Sequence, residues 1–154
     1  MTFDNFAFSD NLQAAIQKAG FVEATPIQEH AIPVLLQGHN VIGLAQTGTG
    51  KTAAYGLPLI EKLQLQNKIQ ALVVVPTREL ATQVAQQLQD LAPEYRVVAV
   101  FGGQPFPVQL TALRRGAQVI VGTPGRILDH LRRQTVRLND VRYCVLDEAD
   151  EMLD

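Results

Sequence analysis

Eight residues carry the plainest chemistry in the chain: Ala45-Gln46-Thr47-Gly48-Thr49-Gly50-Lys51-Thr52. They follow the apolar run Val41-Ile42-Gly43-Leu44 and precede an alanine-rich helical pattern. Between a strand and a helix, Gly48 and Gly50 let the backbone curl so that successive N–H groups converge on one point, where the positive end of the helix dipole also acts. An anion belongs there. Lys51 is expected to reach the β- and γ-phosphates of a nucleotide, and the Thr52 hydroxyl to take one coordination place on Mg²⁺. The usual pattern opens on glycine and this one opens on Ala45. The bland alternative is a flexible turn with a solvated lysine.

The second group is Asp147-Glu148-Ala149-Asp150, directly after the apolar run Tyr143-Cys144-Val145-Leu146. An acidic residue at the end of a buried strand, in a chain with a phosphate loop, is placed to hold Mg²⁺ directly or through water. That residue is Asp147. The adjacent Glu148 is placed to orient or deprotonate the water that attacks the γ-phosphate. Without the phosphate loop, a carboxylate pair capping the next helix would explain both.

Other strand ends are chemically odd as well. Pro76-Thr77-Arg78-Glu79-Leu80 follows Val75, Gly102-Gly103 follows Phe101, and Gly122-Thr123-Pro124-Gly125-Arg126 follows Val121. Singly, Thr77 and Thr123 read as helix caps, the glycines as a tight turn, and Arg78 and Arg126 as solvated surface residues. Together they put N–H groups, hydroxyls and guanidinium groups on one rim, which suits a phosphate backbone that carries no sequence information. Near the start, Thr25-Pro26-Ile27-Gln28 combines an N-cap threonine, proline at the first helical position and glutamine at capping-box spacing. Locally, capping explains Gln28 better than ligand contact does.

These residues need elements to hold them. Ser9 caps a helix through about Lys18, with Leu12, Ala15, Ile16 and Ala19 on one face and Gly20 as its stop. The helix after Thr25 runs to about Gln37, before Gly38. From Val41 onward, short β-branched runs at 71–75, 97–101, 119–121 and 143–146 alternate with amphipathic helices near 78–91, 108–115 and 126–133. The layout is α/β: βαβ units around a parallel sheet whose continuous apolar runs predict strands buried on both faces. Pro58 is expected to kink or end the helix after the phosphate loop. Ligands of such sheets gather at the carboxyl ends of the strands, where the odd residues fall.

The bulk composition narrows the class. With 154 residues and 47% hydrophobic content, the chain suits one domain and fits no disorder class. A formal charge of −2 means that nucleic-acid contact must come from a local basic face. The single cysteine, Cys144, rules out a disulfide framework and reads as a buried structural thiol. His30, His39 and His130 show no metal-ligand spacing and read as surface or packing residues. The start has neither a basic n-region nor a long apolar run, so a cytoplasmic location with no membrane segment is expected.

At Asp147-Glu148-Ala149-Asp150 the sequence resembles the first RecA-like domain of DEAD-box RNA helicases. The resemblance runs from Phe3 to Asp154 through six ordered motifs: Phe21 with 25–28 (Q motif, region 3–31), 45–52 (I), 76–80 (Ia), 102–103 (GG), 123–126 (Ib) and 147–150 (II). Gly102-Gly103-Gln104, with Gln109, Leu113 and Gly116, is similar to bacterial cold-shock-type members. The resemblance implies an ATP-dependent RNA helicase that clamps and bends one strand of a short duplex. Gln28 would bond the adenine edge, Phe21 would stack on the ring with Phe3 supporting it, and 45–52 would hold the phosphates; this reverses the local preference for Gln28. Lys51, Asp147 and Glu148 would be catalytic, with Thr52 and Asp147 on Mg²⁺. Thr77, Arg78, Gly102, Gly103, Thr123, Gly125 and Arg126 would contact the RNA backbone, and Asp150 would couple to a Ser-Ala-Thr motif.

The resemblance also implies that residues 1–154 are the N-terminal part of a RecA-like ATP-binding domain, truncated after the Asp-Glu-Ala-Asp motif. A second RecA-like domain, the arginine finger it supplies and the Ser-Ala-Thr strand would be missing, and ATP hydrolysis by the piece would be poor. In the family that strand lies between the strands of motifs I and II. The expectation is therefore a gap in the sheet, closed by rearranged or intermolecular pairing or by the rest of a longer chain. A non-catalytic ATP-gated RNA clamp or protein scaffold and a small-molecule kinase are the competing readings.

Overall fold

The computed structural model describes residues 1–46 and 48–153. Its contacts separate into two units, one of residues 1–63 with 90–92, the other of 64–89 with 93–154.

The first unit is helical. After a 3-10 turn at Phe3–Asn5 come α1 (Asp10–Lys18), α2 (Pro26–Leu36) and α3 (Lys51–Glu61). Ser9 caps α1 as its position predicts, its hydroxyl accepting from the Leu12 N–H at 3.3 Å. Gln37 closes α2 ahead of Gly38. The Lys62 ammonium donates to the Leu35 carbonyl at 2.9 Å, satisfying one orphan acceptor at the end of α2. Ile16, Ile32 and Leu57 are fully buried, one from each helix, and form the centre of this unit. Pro58 does not end α3, which continues through it to Glu61. The hydrogen bond lost at Pro58 is offset because Leu57, Leu59 and Ile60 around it are all buried.

Residues 41–46 form no strand, contrary to the expectation for the run before the phosphate loop. Ile42 is 97% and Leu44 95% exposed. The physical reason is that an apolar run becomes a strand only when a neighbouring ladder takes its N–H and C=O groups, and no described strand pairs with this one.

The second unit holds the sheet. β1 (Ala71–Val74), β2 (Val97–Val100), β3 (Val119–Gly122) and β4 (Tyr143–Leu146) are all parallel, in the order β2-β3-β1-β4. The connecting helices are α4 (Arg78–Leu91), α5 (Phe106–Arg114) and α6 (Pro124–Arg132). Ala71 is in register with both Val119 and Tyr143, so the carboxyl ends of these strands finish level. Leu72, Val98, Val100, Ala117, Ile120 and Ile127 make the core that fixes that alignment. Only β1 and β3, the inner strands, are buried on both faces; β2 and β4 alternate. Edge position explains the difference, and it also corrects the expectation for Cys144, which lies on the open face of β4 and is exposed. The β4 edge has β1 as its one described neighbour, so no rearranged pairing closes the expected gap. No described helix is long and apolar enough to cross a membrane.

Candidate functional site

In the first unit the phosphate loop and α2 are tied by one side chain. Gln28 is 3% exposed. Its Oε1 accepts from the Thr25 N–H at 2.9 Å, which is its half of the capping box. Its Nε2 donates to the Gly50 carbonyl at 3.0 Å. Both ends of the amide are therefore engaged, and the local capping reading of Gln28 is realised together with a bond to the loop. Gly50 is the N-cap of α3 with φ +80, and a Cβ there would collide with Gln28 Nε2. Left-handed backbone and close approach together require glycine at this position.

Within the loop, the Thr49 hydroxyl donates to the Gln46 carbonyl at 2.6 Å, holding the turn closed. Ala45 is half-buried and Gly48 exposed, while Lys51 and Thr52 form the first turn of α3. Thr47 lies outside the described residues. Thr25 Oγ1 is buried with no hydrogen bond among the described residues, 3.2 Å from where a Gly50 Cβ would stand. Phe3 is buried at 3% exposure and stacks on Phe21, centroids 5.8 Å apart and planes 28° apart. Phe21 keeps 37% of its surface open, so one ring supports and the other is available.

In the second unit, Asp147 follows β4 directly and is 4% exposed, its N–H bonded to the Val74 carbonyl at 2.9 Å. Glu148 holds a positive φ of 53°, in the left-handed region that costs a branched or long side chain about 1–2 kcal/mol. The turn after it closes by bonds from Glu151, Met152 and Leu153 N–H to the carbonyls of Glu148, Ala149 and Asp150. Non-glycine residues with positive φ are over-represented at functional sites, which makes this turn, with its buried carboxylate, a candidate. Asp147 offers carboxylate oxygens, hard donors; no described group of three or more His, Cys, Asp or Glu residues forms an all-protein metal cage.

The remaining predicted residues meet along the carboxyl ends of β1, β2 and β3. Thr77 caps α4, its hydroxyl accepting from the Leu80 N–H at 3.2 Å. Arg78 Nη1 would lie 2.8 Å from a Cβ on Gly103, which brings motifs Ia and GG side by side, and the φ of +87 at that position favours glycine. Thr123 is the N-cap of α6, with its N–H on the Val100 carbonyl at 3.1 Å, and Gly125 is exposed. Arg126 is not a solvated surface residue. Its side chain is 17% exposed, and Nη1 donates to the Gln104 carbonyl at 3.0 Å and to Gln109 Oε1 at 3.1 Å.

Sequence reasoning missed Gln109 and His130 as participants here. Gln109 is 1% exposed and His130 fully buried. Burial, with the Arg126 charge beside it, lowers the His130 pKa below its ordinary value. The available signal was an amide at position 109 on the apolar stripe of α5, in line with Phe106 and Leu113.

The family model for DEAD/DEAH box helicases matches residues 25–154. The chain is 52% identical to the DEAD-box ATP-dependent RNA helicase CshA of Bacillus subtilis over 99% of its own length and 32% of that protein's. It is 51% identical to the ATP-dependent RNA helicase CshA of Listeria monocytogenes over 98% of its length and 30% of that relative's. The chain thus spans about a third of the curated relatives it matches. Among solved structures, a DEAD box protein from the hyperthermophile Methanococcus jannaschii aligns with TM-score 0.94 at 44% identity, over 99% of this chain and 43% of that one. A hypothetical ATP-dependent RNA helicase from Sulfolobus tokodaii aligns with TM-score 0.87 at 38% identity, over 95% and 43%. The phosphate loop, the Asp-Glu-Ala-Asp turn and the rim between them in sequence are therefore those of a known lineage: this chain belongs to the DEAD/DEAH box helicase family.

Proposed function

We propose that this chain is the ATP-binding part of an ATP-dependent RNA helicase, acting on short duplexes or on RNA held by protein. The observation that carries the reading is the alignment of Thr77, Gly103 and Arg126 at the carboxyl ends of three neighbouring parallel strands. A rim of backbone N–H groups, hydroxyls and cations suits a phosphate backbone, whatever its sequence.

Phe21 stacks on the adenine with Phe3 behind it, and Gln28 reads the adenine edge. That requires the Gln28 amide to exchange at least one of its present bonds, to Thr25 or to Gly50, for the base. The loop from Ala45 to Thr52 cradles the phosphates, with Lys51 on the β- and γ-phosphates. Thr52 and Asp147 would hold Mg²⁺, which when bound neutralises charge on the phosphates. Glu148 orients the attacking water and accepts its proton. Asp150 passes the state of the nucleotide to a Ser-Ala-Thr motif. A second RecA-like domain supplies the arginine finger, a group that contributes about 10³ to 10⁵ in rate in phosphoryl transfer. The open edge of β4 accepts a further strand, from the rest of a longer chain or from a second copy.

The test is nucleotide binding to the chain, followed by duplex unwinding by the intact protein. ATP preferred over GTP, with the preference lost in Gln28→Ala, supports the adenine pocket. Unwinding that needs ATP supports the helicase, whereas ATP-gated RNA binding without unwinding favours the non-catalytic clamp.

A further inference from the structure

The rim described above has a mechanical weakness. Gly102 and Gly103 bring no side chains, and Thr123, Pro124 and Gly125 at the start of α6 are short and largely exposed. The turn has no buried apolar side chain of its own, while the first turn of α6 is seated in the core through Ile127 alone. Both are nevertheless tied to one buried amide.

Gln109, on α5, donates from Nε2 to the Phe101 carbonyl at 2.7 Å, at the point where β2 gives way to the Gly102-Gly103 turn. Its Oε1 accepts from Arg126 Nη1 at 3.1 Å and from His130 Nε2 at 2.9 Å, both on α6. Arg126 Nη1 also reaches the Gln104 carbonyl at 3.0 Å, on the far side of the same turn. The polarity of the network is fixed by one residue. A guanidinium can only donate, so the group of Gln109 that faces Arg126 must be its oxygen. That same oxygen then requires a proton on His130 Nε2, which leaves Nδ1 of the neutral ring to accept from the Thr135 hydroxyl at 2.7 Å. Phe106 stacks on the imidazole with centroids 4.4 Å apart, and the Arg133 guanidinium lies 4.2 Å from the same phenyl centroid.

We propose that Gln109 is a positioning residue for RNA: its single buried amide locks the Gly102–Gln104 turn to the first turn of α6, so that the two segments grip the phosphate backbone as one surface. This rests on the reading of the rim as an RNA-binding site. Gln109 itself, 1% exposed, touches no RNA. Its contribution is geometric: it holds Arg126 and the turn at fixed separation before RNA arrives, and pre-organised donors lose less freedom on binding.

The experiment is a double-mutant cycle in the intact protein, with Gln109→Met and Arg126→Ala singly and together. The probe is a fluorescein-labelled single-stranded oligouridylate, its binding read by anisotropy with a non-hydrolysable ATP analogue present. Loss of a buried hydrogen-bond hub with a charged partner is expected to weaken oligouridylate binding about tenfold in Gln109→Met. Affinity for the ATP analogue stays within about twofold, because its loop does not depend on this amide. The double variant loses less than the product of the two single losses. In ¹⁵N spectra the His130 ring changes from the Nε2–H tautomer to a mixture when Gln109 is removed.

Unchanged oligouridylate affinity in Gln109→Met, or losses that simply multiply, overturns the positioning role while Arg126→Ala still weakens binding. If the parent does not bind oligouridylate, or Arg126→Ala and Thr77→Ala leave binding intact, the RNA rim itself is refuted and the proposal falls with it. Should Gln109→Met fail to fold, Gln109→Glu keeps the volume and the oxygen that faces Arg126 and His130, while the donor to Phe101 is replaced by a carboxylate oxygen that repels that carbonyl. It is expected to bind oligouridylate several-fold more weakly through release of the turn, and parental affinity in that variant overturns the proposal.

Discussion

The side-chain amide of Gln28 donates to the backbone carbonyl of Gly50, 3.0 Å away and 22 residues later in the chain. One end of α2 is thereby fastened to the residue that caps α3. Removing the amide leaves the Gly50 carbonyl and the Thr25 N–H without a partner they now have. Gln28→Ala is expected to lower ATP affinity about tenfold or more and to shift the melting temperature by a few degrees, from the loss of two partly buried hydrogen bonds. Calorimetric titration with ATP and GTP checks both. A loss for ATP alone assigns Gln28 to the base, and an equal loss for both nucleotides assigns it to loop support.

Gly50→Ala probes the other end of the same bond. A φ of +80 disfavours any side chain, and the new Cβ would drive against Gln28 Nε2. The strain of about 1–2 kcal/mol, added to the broken contact, is expected to lower the melting temperature by several degrees. Nucleotide binding should be lost outright, because the loop that points its N–H groups at the phosphates cannot hold its turn. Parental ATP affinity in Gly50→Ala would show that the loop tolerates another path.

Glu148 is the position at which the proposed chemistry can be tested apart from nucleotide binding. Its backbone is strained at φ 53° directly after the buried Asp147, at the carboxyl end of β4. In the intact protein, Glu148→Gln is expected to cut ATP turnover by about 10² or more while leaving ATP affinity within about twofold, since a general base contributes to the transition state and little to ground-state binding. Glu148→Gly relieves the strain and is expected to be as inactive as Glu148→Gln. Steady-state turnover and nucleotide titration on the two variants check the pair.

Much of this was written in local sequence. Ser9, the Thr25 to Gln28 spacing and Gly38 each mark a helix end by a mechanism that needs no distant partner, and each end falls where expected. The four runs that became β1 to β4 were legible because short β-branched runs alternate with helical stretches, and the edge where the candidate site residues gather followed from topology. What failed depended on neighbours. Val41 to Leu44 reads as a strand by composition, but a strand exists only with a ladder beside it, and none is described there. Cys144 reads as buried because its run is apolar, yet an edge strand of this sheet has an open face. Arg126 reads as a surface cation, and its burial depends on Gln104 and Gln109 from another loop and helix. Gln28 caps its own helix as the local spacing predicts, and its second bond, to the Gly50 carbonyl 22 residues on, depends on a loop that the local sequence does not place.

His130 is expected to make the second unit sensitive to acid. The ring is fully buried, and burial first, then the Arg126 charge, lowers its pKa, with Arg133 acting in the same sense and Asp129 opposing. The folded value therefore lies below the ordinary unfolded value of about 6.5. Above that pH the ring is neutral in both states and its contribution to stability is complete. As pH falls through about 6.5 the unfolded chain takes up a proton that the folded ring does not, so stability declines until the lowered folded pKa is passed. Protonation in the fold adds a second N–H at Nδ1, facing Thr135 Oγ1, whose own proton can turn to the His130 carbonyl at 3.1 Å. The network thus accepts the charge without a clash, and the loss is of desolvation and repulsion by Arg126 and Arg133. Thermal melts between about pH 7 and pH 5 should show a decline that is shallower in His130→Gln, since glutamine has no ring nitrogen to titrate. Equal slopes in the two proteins would place the acid sensitivity elsewhere and leave His130 a packing residue alone.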